Sequence, residues 1–217
     1  MSFKINTLFS KDIAIMPENY RKIVLASNNA GKIREINNLL NQQKFQVLPQ
    51  KDFTKEEAIE DGLSFVENAI KKARFACKAS GLPAIADDSG IEVDALNGAP
   101  GIYSARFAGE SATDQENLEK LLTDLKGIED KNRTARFQCV MVFMRHANDP
   151  TPIICQGSWE GRILKTPQGN NGFGYDPIFF VPEDNCSSAE LSADRKNELS
   201  HRGKALKLMT TALSRIF

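Results

Sequence analysis

The sequence predicts an α/β protein built on a mixed β-sheet with flanking helices, and three observations carry that expectation. An apolar, β-branched run, Lys22-Ile-Val-Leu-Ala26, is followed by a polar turn and a helical spacing of Ile33, Ile36, Leu39 and Leu40. Further on, the strand-like runs 136–144 and 153–158 are joined by the polar turn Asn148-Asp-Pro150, which marks an antiparallel hairpin inside the alternating pattern. At 217 residues the chain can bury a sizeable core without disulfides or a structural metal. No repeat, low-complexity tract or linker divides it. The expected organisation is an N-terminal extension, 1–21, without clear periodicity, and one domain, 22–217, bilobed around a cleft.

The remaining elements follow in chain order. A helix is predicted from about Ser64 to Ala79, with Phe65, Ala69, Ala73 and Ala76 on one face and Gly81-Leu-Pro83 ending it. Pro83 to Ala86 begins a buried strand, at whose end two acids and a small flexible turn follow. Thr113-Asp-Gln-Glu116 has the form of a capping box, with Leu118, Leu121, Leu122 and Leu125 as the buried stripe of the helix it opens and Gly127 closing it. The last helix opens near Ser200 and is expected to turn Ala205, Leu208, Met209, Ala212, Leu213 and Ile216 toward the core.

Composition narrows the function classes. Lys plus Arg and Asp plus Glu number 28 each, so no global field draws the chain to a polyanion and any affinity for phosphate must be local. Neutral charge and the lack of a long basic stripe argue against nucleic acid as partner. Cys77, Cys139, Cys155 and Cys186 form no C-x-x-C pair, which argues against zinc and against a secreted disulfide framework and suits a reducing cytoplasm. No run approaches the roughly 20 apolar residues of a membrane span, and Lys11 and Asp12 spoil a signal-peptide core.

Four segments could carry chemistry. Ser27-Asn28-Asn29-Ala30-Gly31-Lys32, between a strand and a helix, offers free backbone N–H groups, the positive end of a helix dipole and an ammonium, all suited to phosphate. It lacks the P-loop spacing, and a plain capped helix with an exposed lysine fits it equally well. Asp87-Asp88-Ser89-Gly90 places two carboxylates where they can bind a divalent metal or accept a proton from water, although a surface turn also fits. Neighbouring side chains on a strand point to opposite faces, so one of the pair should face the cleft and the other support it.

Gly172-Phe173-Gly174-Tyr175-Asp176-Pro177 combines glycines that allow close approach, two rings able to stack on a base, and a carboxylate; a Gly/Pro-rich turn with core aromatics is the alternative. From Glu190 through Lys196 to Ser200-His201-Arg202-Gly203-Lys204, basic side chains gather at the start of the last helix. Their charge opposes the helix dipole there, a conflict that a bound anion would relieve and that a solvated basic turn would also tolerate.

Taken with Phe65-Val-Glu-Asn-Ala69, Ala86 to Asp94 and Gly98-Ala-Pro-Gly-Ile-Tyr-Ser-Ala-Arg106, these motifs in this order resemble the non-canonical purine nucleoside-triphosphate pyrophosphatase family from about Lys22 to the C-terminus. The resemblance implies an elongated α/β fold with two lobes around an active-site cleft, a homodimer, and magnesium-assisted hydrolysis of ITP, dITP and XTP to monophosphate and pyrophosphate. It implies that Ser27 through Lys32 cradle the triphosphate and that Lys72 reaches the phosphates. By the same resemblance Glu60 and Asp88 hold magnesium, with Asp87 able to share it and Glu56 and Glu57 close enough to compete with Glu60. Asp88 is implied as proton acceptor, Ser89 as a substrate contact, and Phe173, Gly174, Tyr175, Asp176, Lys196, His201 and Arg202 as the nucleoside-binding set. Hypoxanthine and xanthine carry a carbonyl where adenine has its 6-amino group. A donor from His201, Arg202 or a backbone N–H would therefore favour them.

Overall fold

The computed structural model describes residues 21–27, 29–40 and 45–216; residues 1–20 of the expected N-terminal extension and Asn28 lie outside them, while Arg21, the last residue of that extension, already belongs to the first strand. One seven-stranded sheet runs through these residues in the order β2-β1-β3-β4-β5-β6-β7. Strand β1 (Arg21–Ala26) pairs in parallel with β2 (Phe45–Pro49) on one side and with β3 (Ala84–Val93) on the other. From β3 onward every pairing is antiparallel, through β4 (Thr134–Met144), β5 (Ile153–Ile163), β6 (Phe179–Val181) and β7 (Cys186–Ser187). The sheet is therefore mixed, with the expected hairpin as its centre.

Helices cover both faces. Helix α1 (Ala30–Leu40) and α5 (His201–Leu213) lie over one face, where Ile36, Leu40, Leu206 and Met209 pack with Ile23, Leu25, Ile85 and Cys139. Helix α2 (Phe65–Ser80) covers the other, its Ala69, Ala73 and Ala76 against Val24, Ala26, Ala84 and Ala86. The small residues on α2 let its backbone approach the sheet closely. Strand alternation assigns the sides: Ile85 belongs to the first cluster, Ala84 and Ala86 to the second. A third cluster collects Leu118, Leu121 and Leu125 of α3 (Asp114–Asp124) with Phe137, Trp159, Tyr175 and Phe179.

Local chemistry sets the helix ends. Ser64 caps α2 by accepting from the Glu67 N–H, and Gly81 closes it with φ of 70°, a left-handed conformation that a Cβ would strain. The capping box at Thr113 and Glu116 is formed in both directions. Three expectations need correction. Strand β3 does not end at Ala86; it continues through both acids to Val93, because β4 pairs with it along the whole length. In α5 it is Leu206 that is buried, whereas Leu208 is 53% exposed and Ile216, beyond the helix end, 48%. Helix α4 (Ala193–Leu199) precedes α5, with Ser200 ending one and capping the other, so Lys196 sits in its own short helix.

Candidate active site

A cavity of about 290 Å³ opens where the C-terminal end of β1, the start of α1 and the middle of β3 meet the 173–176 loop and the start of α5. At its β1–α1 end, Asn29 acts as helix cap, its side-chain oxygen accepting from the Lys32 N–H at 3.0 Å, while Ser27 Oγ accepts from the Asn29 N–H. Gly31 is required by packing: a Cβ there would stand 2.6 Å from the Phe173 ring. The phosphate-type turn and the aromatic loop, 142 positions apart in sequence by their numbers 31 and 173, thus meet in space.

The two acids of β3 part company at this point. Asp88 lines the cavity on the α2 side, where Asn68 Nδ2 donates to it at 3.3 Å and Lys72 Nζ lies 3.4 Å from its Oδ1. Asp87 faces the α1/α5 side and is fully buried, with Lys32 Nζ 3.0 Å and Arg202 Nε 3.5 Å from its Oδ2. Alternation along the strand requires this division. The expectation that Asp87 shares a metal meets a carboxylate turned away from the cavity and already engaged by two cations.

Their protonation behaviour diverges in consequence. Burial works against the Asp87 anion, but Lys32, Arg202 and Lys72 together outweigh it and hold its carboxyl well below the usual range. Burial raises Asp88 above the ordinary aspartate value; Lys72 and Lys32 oppose the rise, while Glu60 and Asp87 add to it. Of these two neighbouring carboxylates, the one that lines the cavity therefore has the greater proton affinity, as a base acting on water requires.

Lys72 Nζ also reaches Glu60 Oε1 at 3.3 Å, so Glu60 and Asp88 face one point. Burial depresses the Lys72 ammonium's proton affinity, yet Asp88, Asp87 and Glu60 overcome it and keep the side chain charged. Glu57 also lines the cavity, whereas Glu56 does not. Among the described residues no group of three or more His, Cys, Asp and Glu side chains converges as a metal site. Two carboxylate oxygen donors facing one point fit magnesium, which usually takes one or two protein carboxylates and fills its shell with water and substrate phosphate.

At the other end, Asp176 organises the aromatic loop. Its Oδ2 accepts from the Phe173 N–H at 2.8 Å and from Lys196 Nζ at 2.6 Å, and its Oδ1 accepts from Ser188 Oγ at 2.9 Å. A Cβ on Gly172, whose φ is 79°, would collide with that carboxylate at 2.1 Å. Asp114, at the start of α3 and also lining the cavity, accepts from the Gly174 N–H at 2.8 Å and ties the loop to that helix. Phe173 lies 5.1 Å from the Lys196 ammonium and 5.7 Å from the Arg202 guanidinium, both over its ring. Tyr175 differs from the expectation of a second stacking ring: it is buried, and its hydroxyl donates to the Ser104 carbonyl at 2.7 Å.

His201 and Arg202 open α5 inside the protein. The imidazole stacks on Phe137 with centroids 4.7 Å apart and planes at 12°, and burial, reinforced by Arg202 and Lys196, drives its pKa well below the ordinary histidine value. It is therefore neutral at physiological pH. Arg202 donates from Nη1 to Glu35 and from Nη2 to Ser89 Oγ at 3.0 Å. The dipole conflict expected at this helix start is offset by Glu35 and Asp87, so no bound anion is needed to explain the arginine. Close packing fixes the helix start against the sheet, since a Cβ on Gly157 of β5 would lie 2.1 Å from the His201 carbonyl oxygen.

Glu35 belongs to none of the motifs apparent in the sequence. It bridges Arg202 and, at 3.2 Å, Lys196, and it lies three positions after Lys32, hence on the same side of α1. That spacing was the available signal. Asn68 was visible within Phe65-Val-Glu-Asn-Ala69 without a role; its Oδ1 accepts from the Gly62 N–H at 2.8 Å while its amide donates to Asp88. The structure brings together the other proposed residues, Ser27, Asn29, Lys32, Lys72, Ser89, Gly174 and Asp176, around the one cavity.

Comparison with known proteins places the chain in one family. The model of a family described as the Ham1 family matches residues 23–212. A protein of Vibrio parahaemolyticus named dITP/XTP pyrophosphatase is 64% identical over 194 residues, which cover 89% of this chain and 97% of that protein. One of Shigella flexneri with the same name is 58% identical over 193 residues, covering 89% and 98%. A solved HAM1 protein structure from Coxiella burnetii superposes with a TM-score of 0.84 at 49% identity, covering 90% of this chain and 99% of that one.

Proposed function

The chain belongs to the Ham1 family and is a nucleoside-triphosphate pyrophosphatase, and from that premise we propose that it hydrolyses ITP, dITP and XTP to the monophosphate and pyrophosphate. The observation that carries the reading is Asp88: a cavity-facing carboxylate of raised proton affinity, held between Asn68 and Lys72 beside the Ser27–Lys32 turn. The names of the relatives supply the substrate class.

On this reading the triphosphate lies along the Ser27–Lys32 turn, with Lys32 and Lys72 neutralising its charge. Asp88 accepts the proton of the water that attacks the α-phosphorus, and the α–β anhydride bond breaks as pyrophosphate departs. Glu60 and Asp88 are the residues that would hold magnesium, which when bound neutralises charge building on the leaving pyrophosphate. Ser89 contacts the substrate between the two ends. The purine lies against the cavity-lining Phe173, within reach of Tyr175, Asp176 and Lys196, and its 6-oxo group accepts from Arg202 or from N–H groups near His201.

Exclusion of ATP follows from the chemistry of that contact, because the 6-amino group of adenine cannot accept from a guanidinium whose other partners are fixed. A panel of ITP, dITP, XTP, GTP and ATP scored for pyrophosphate release with magnesium tests the proposal. Preference for the three 6-oxo substrates without a 2-amino group is expected. Equal turnover of ATP would count against it. No described helix is long and apolar enough to cross a membrane, and the homodimer implied by the family likeness stands as part of the same proposal.

A further inference from the structure

Charged side chains from α1, β3, α4, α5 and the aromatic loop alternate in sign along one continuous path: Lys32, Asp87, Arg202, Glu35, Lys196, Asp176. Each link is a direct contact, from Lys32 Nζ to Asp87 Oδ2 at 3.0 Å through Arg202 and Glu35 to Lys196, whose Nζ lies 2.6 Å from Asp176. The path starts at the phosphate turn and ends at the loop that carries Phe173. Asp87 is the joint between its two halves. It is fully buried, it does not line the cavity, and one of its oxygens serves Lys32, Ser89 Oγ at 3.2 Å and Arg202 while Oδ1 has no hydrogen-bond partner.

We propose that Asp87 is a positioning residue that couples the two ends of the site, so that engagement of a phosphate group by Lys32 strengthens recognition of the purine base through Arg202. The inference rests on the reading of the Ser27–Lys32 turn as the phosphate end and of Phe173 with Arg202 as the base end. In a buried, low-dielectric setting a carboxylate without access to water must be balanced by its neighbours. When Lys32 turns to a phosphate, one of the two cations in direct contact with Asp87 is drawn away and more of the balancing falls to the other, Arg202. The Arg202 Nε is poised for this, buried without a hydrogen bond and 3.5 Å from the Asp87 oxygen. Closing that gap orders the guanidinium, while Nη1 and Nη2 keep their second hydrogens for a base carbonyl. Asp88 cannot serve as this joint, because it faces α2 on the opposite side of the sheet.

The test is a titration of the full-length protein, with magnesium present, using inosine and inorganic pyrophosphate as separate probes of the two ends. Saturating pyrophosphate should tighten inosine binding about fivefold or more, and inosine should tighten pyrophosphate by the same factor, since coupling between sites is reciprocal. Asp87→Asn should bring the factor to about one while both probes still bind. Should that variant not fold, Arg202→Met is the second variant, expected to bind pyrophosphate without sensing inosine. Binding of both probes to the wild type with a factor of one overturns the inference alone, as does coupling that survives Asp87→Asn. Failure of both probes to bind overturns the reading of the site beneath it, and the inference with it.

Discussion

Asp87 and Asp88 are consecutive residues of one strand, yet their carboxylates serve opposite faces of the sheet, Asp87 toward Lys32 of α1 and Asp88 toward Lys72 of α2. The pair thus divides two tasks that cannot share one carboxylate. The acid paired with Lys32 and Arg202 is held ionised, and the acid facing the cavity is pushed toward higher proton affinity.

Asp88→Asn should lower kcat by on the order of a hundredfold to ten-thousandfold, the usual worth of a general base, without lowering the melting temperature. The stability half follows from sign: a carboxyl whose folded pKa is raised is more costly to ionise in the folded protein than in the unfolded chain. Replacing it with a neutral amide at neutral pH removes that cost. A variant with near-wild-type kcat in saturating magnesium would remove Asp88 from the chemistry.

Glu60→Gln should raise the magnesium concentration for half-maximal rate by about tenfold or more, with activity restored at high magnesium. Glu60 lies in a loop, its side chain 34% exposed, and folding should tolerate the change. Glu56→Gln serves as the control from the same segment. If the two variants shift the magnesium requirement equally, the assignment of Glu60 fails.

Arg202→Ala should compress the ratio of kcat/KM for ITP over ATP by about tenfold to a hundredfold, matching a charge-assisted hydrogen bond of roughly 1.5–3 kcal/mol that ITP alone can accept. Because the substitution also leaves Glu35 without its arginine, Arg202→Lys is the companion: it keeps a positive charge but not the fork that binds Glu35 and Ser89 together. An unchanged ratio in both variants would place base reading in backbone N–H groups around residues 173–176.

Below about pH 6.5 the stability of the protein should fall, and His201 should be the cause. Its folded pKa is depressed, so as pH drops through the ordinary histidine value the unfolded chain takes up a proton that the buried imidazole refuses. The contribution is complete above that pH and is lost below it, by at most about 1.4 kcal/mol per pH unit for one proton. Asp87 acts in the same direction but only below about pH 4, where carboxylates protonate. Chemical denaturation at pH 7 and pH 5 should therefore show a smaller change in His201→Phe than in the wild type; equal changes would assign the dependence elsewhere.

Much of this architecture could be read from the chain because local signals and burial pointed the same way. Ser64, Gly81 and the Thr113–Glu116 box set helix ends where their backbone chemistry required, and the hairpin through Asn148-Asp-Pro150 closed as its polar turn suggested. Strand β3 runs past its apparent end at Ala86, since Asp87, Asp88, Ser89 and Gly90 look like a turn when seen alone. What allows them inside a sheet is distant in sequence: Lys32, Lys72 and Arg202 neutralise the acids, and the Gly101 carbonyl approaches so closely that a Cβ on Gly90 would stand 2.3 Å from it. The position of Glu35 in the site is equally a tertiary fact, since its partners come from α4 and α5. Tyr175 was legible as an aromatic beside the pocket but not as one tied to Ser104, because that partner is fixed only by packing.

Single-turnover hydrolysis of ITP in ¹⁸O-labelled water, with magnesium and with both products analysed by mass, tests the central claim most directly. Attack of water on the α-phosphorus predicts IMP carrying one labelled oxygen and unlabelled pyrophosphate. Label recovered in pyrophosphate, or release of orthophosphate with IDP, would contradict the account.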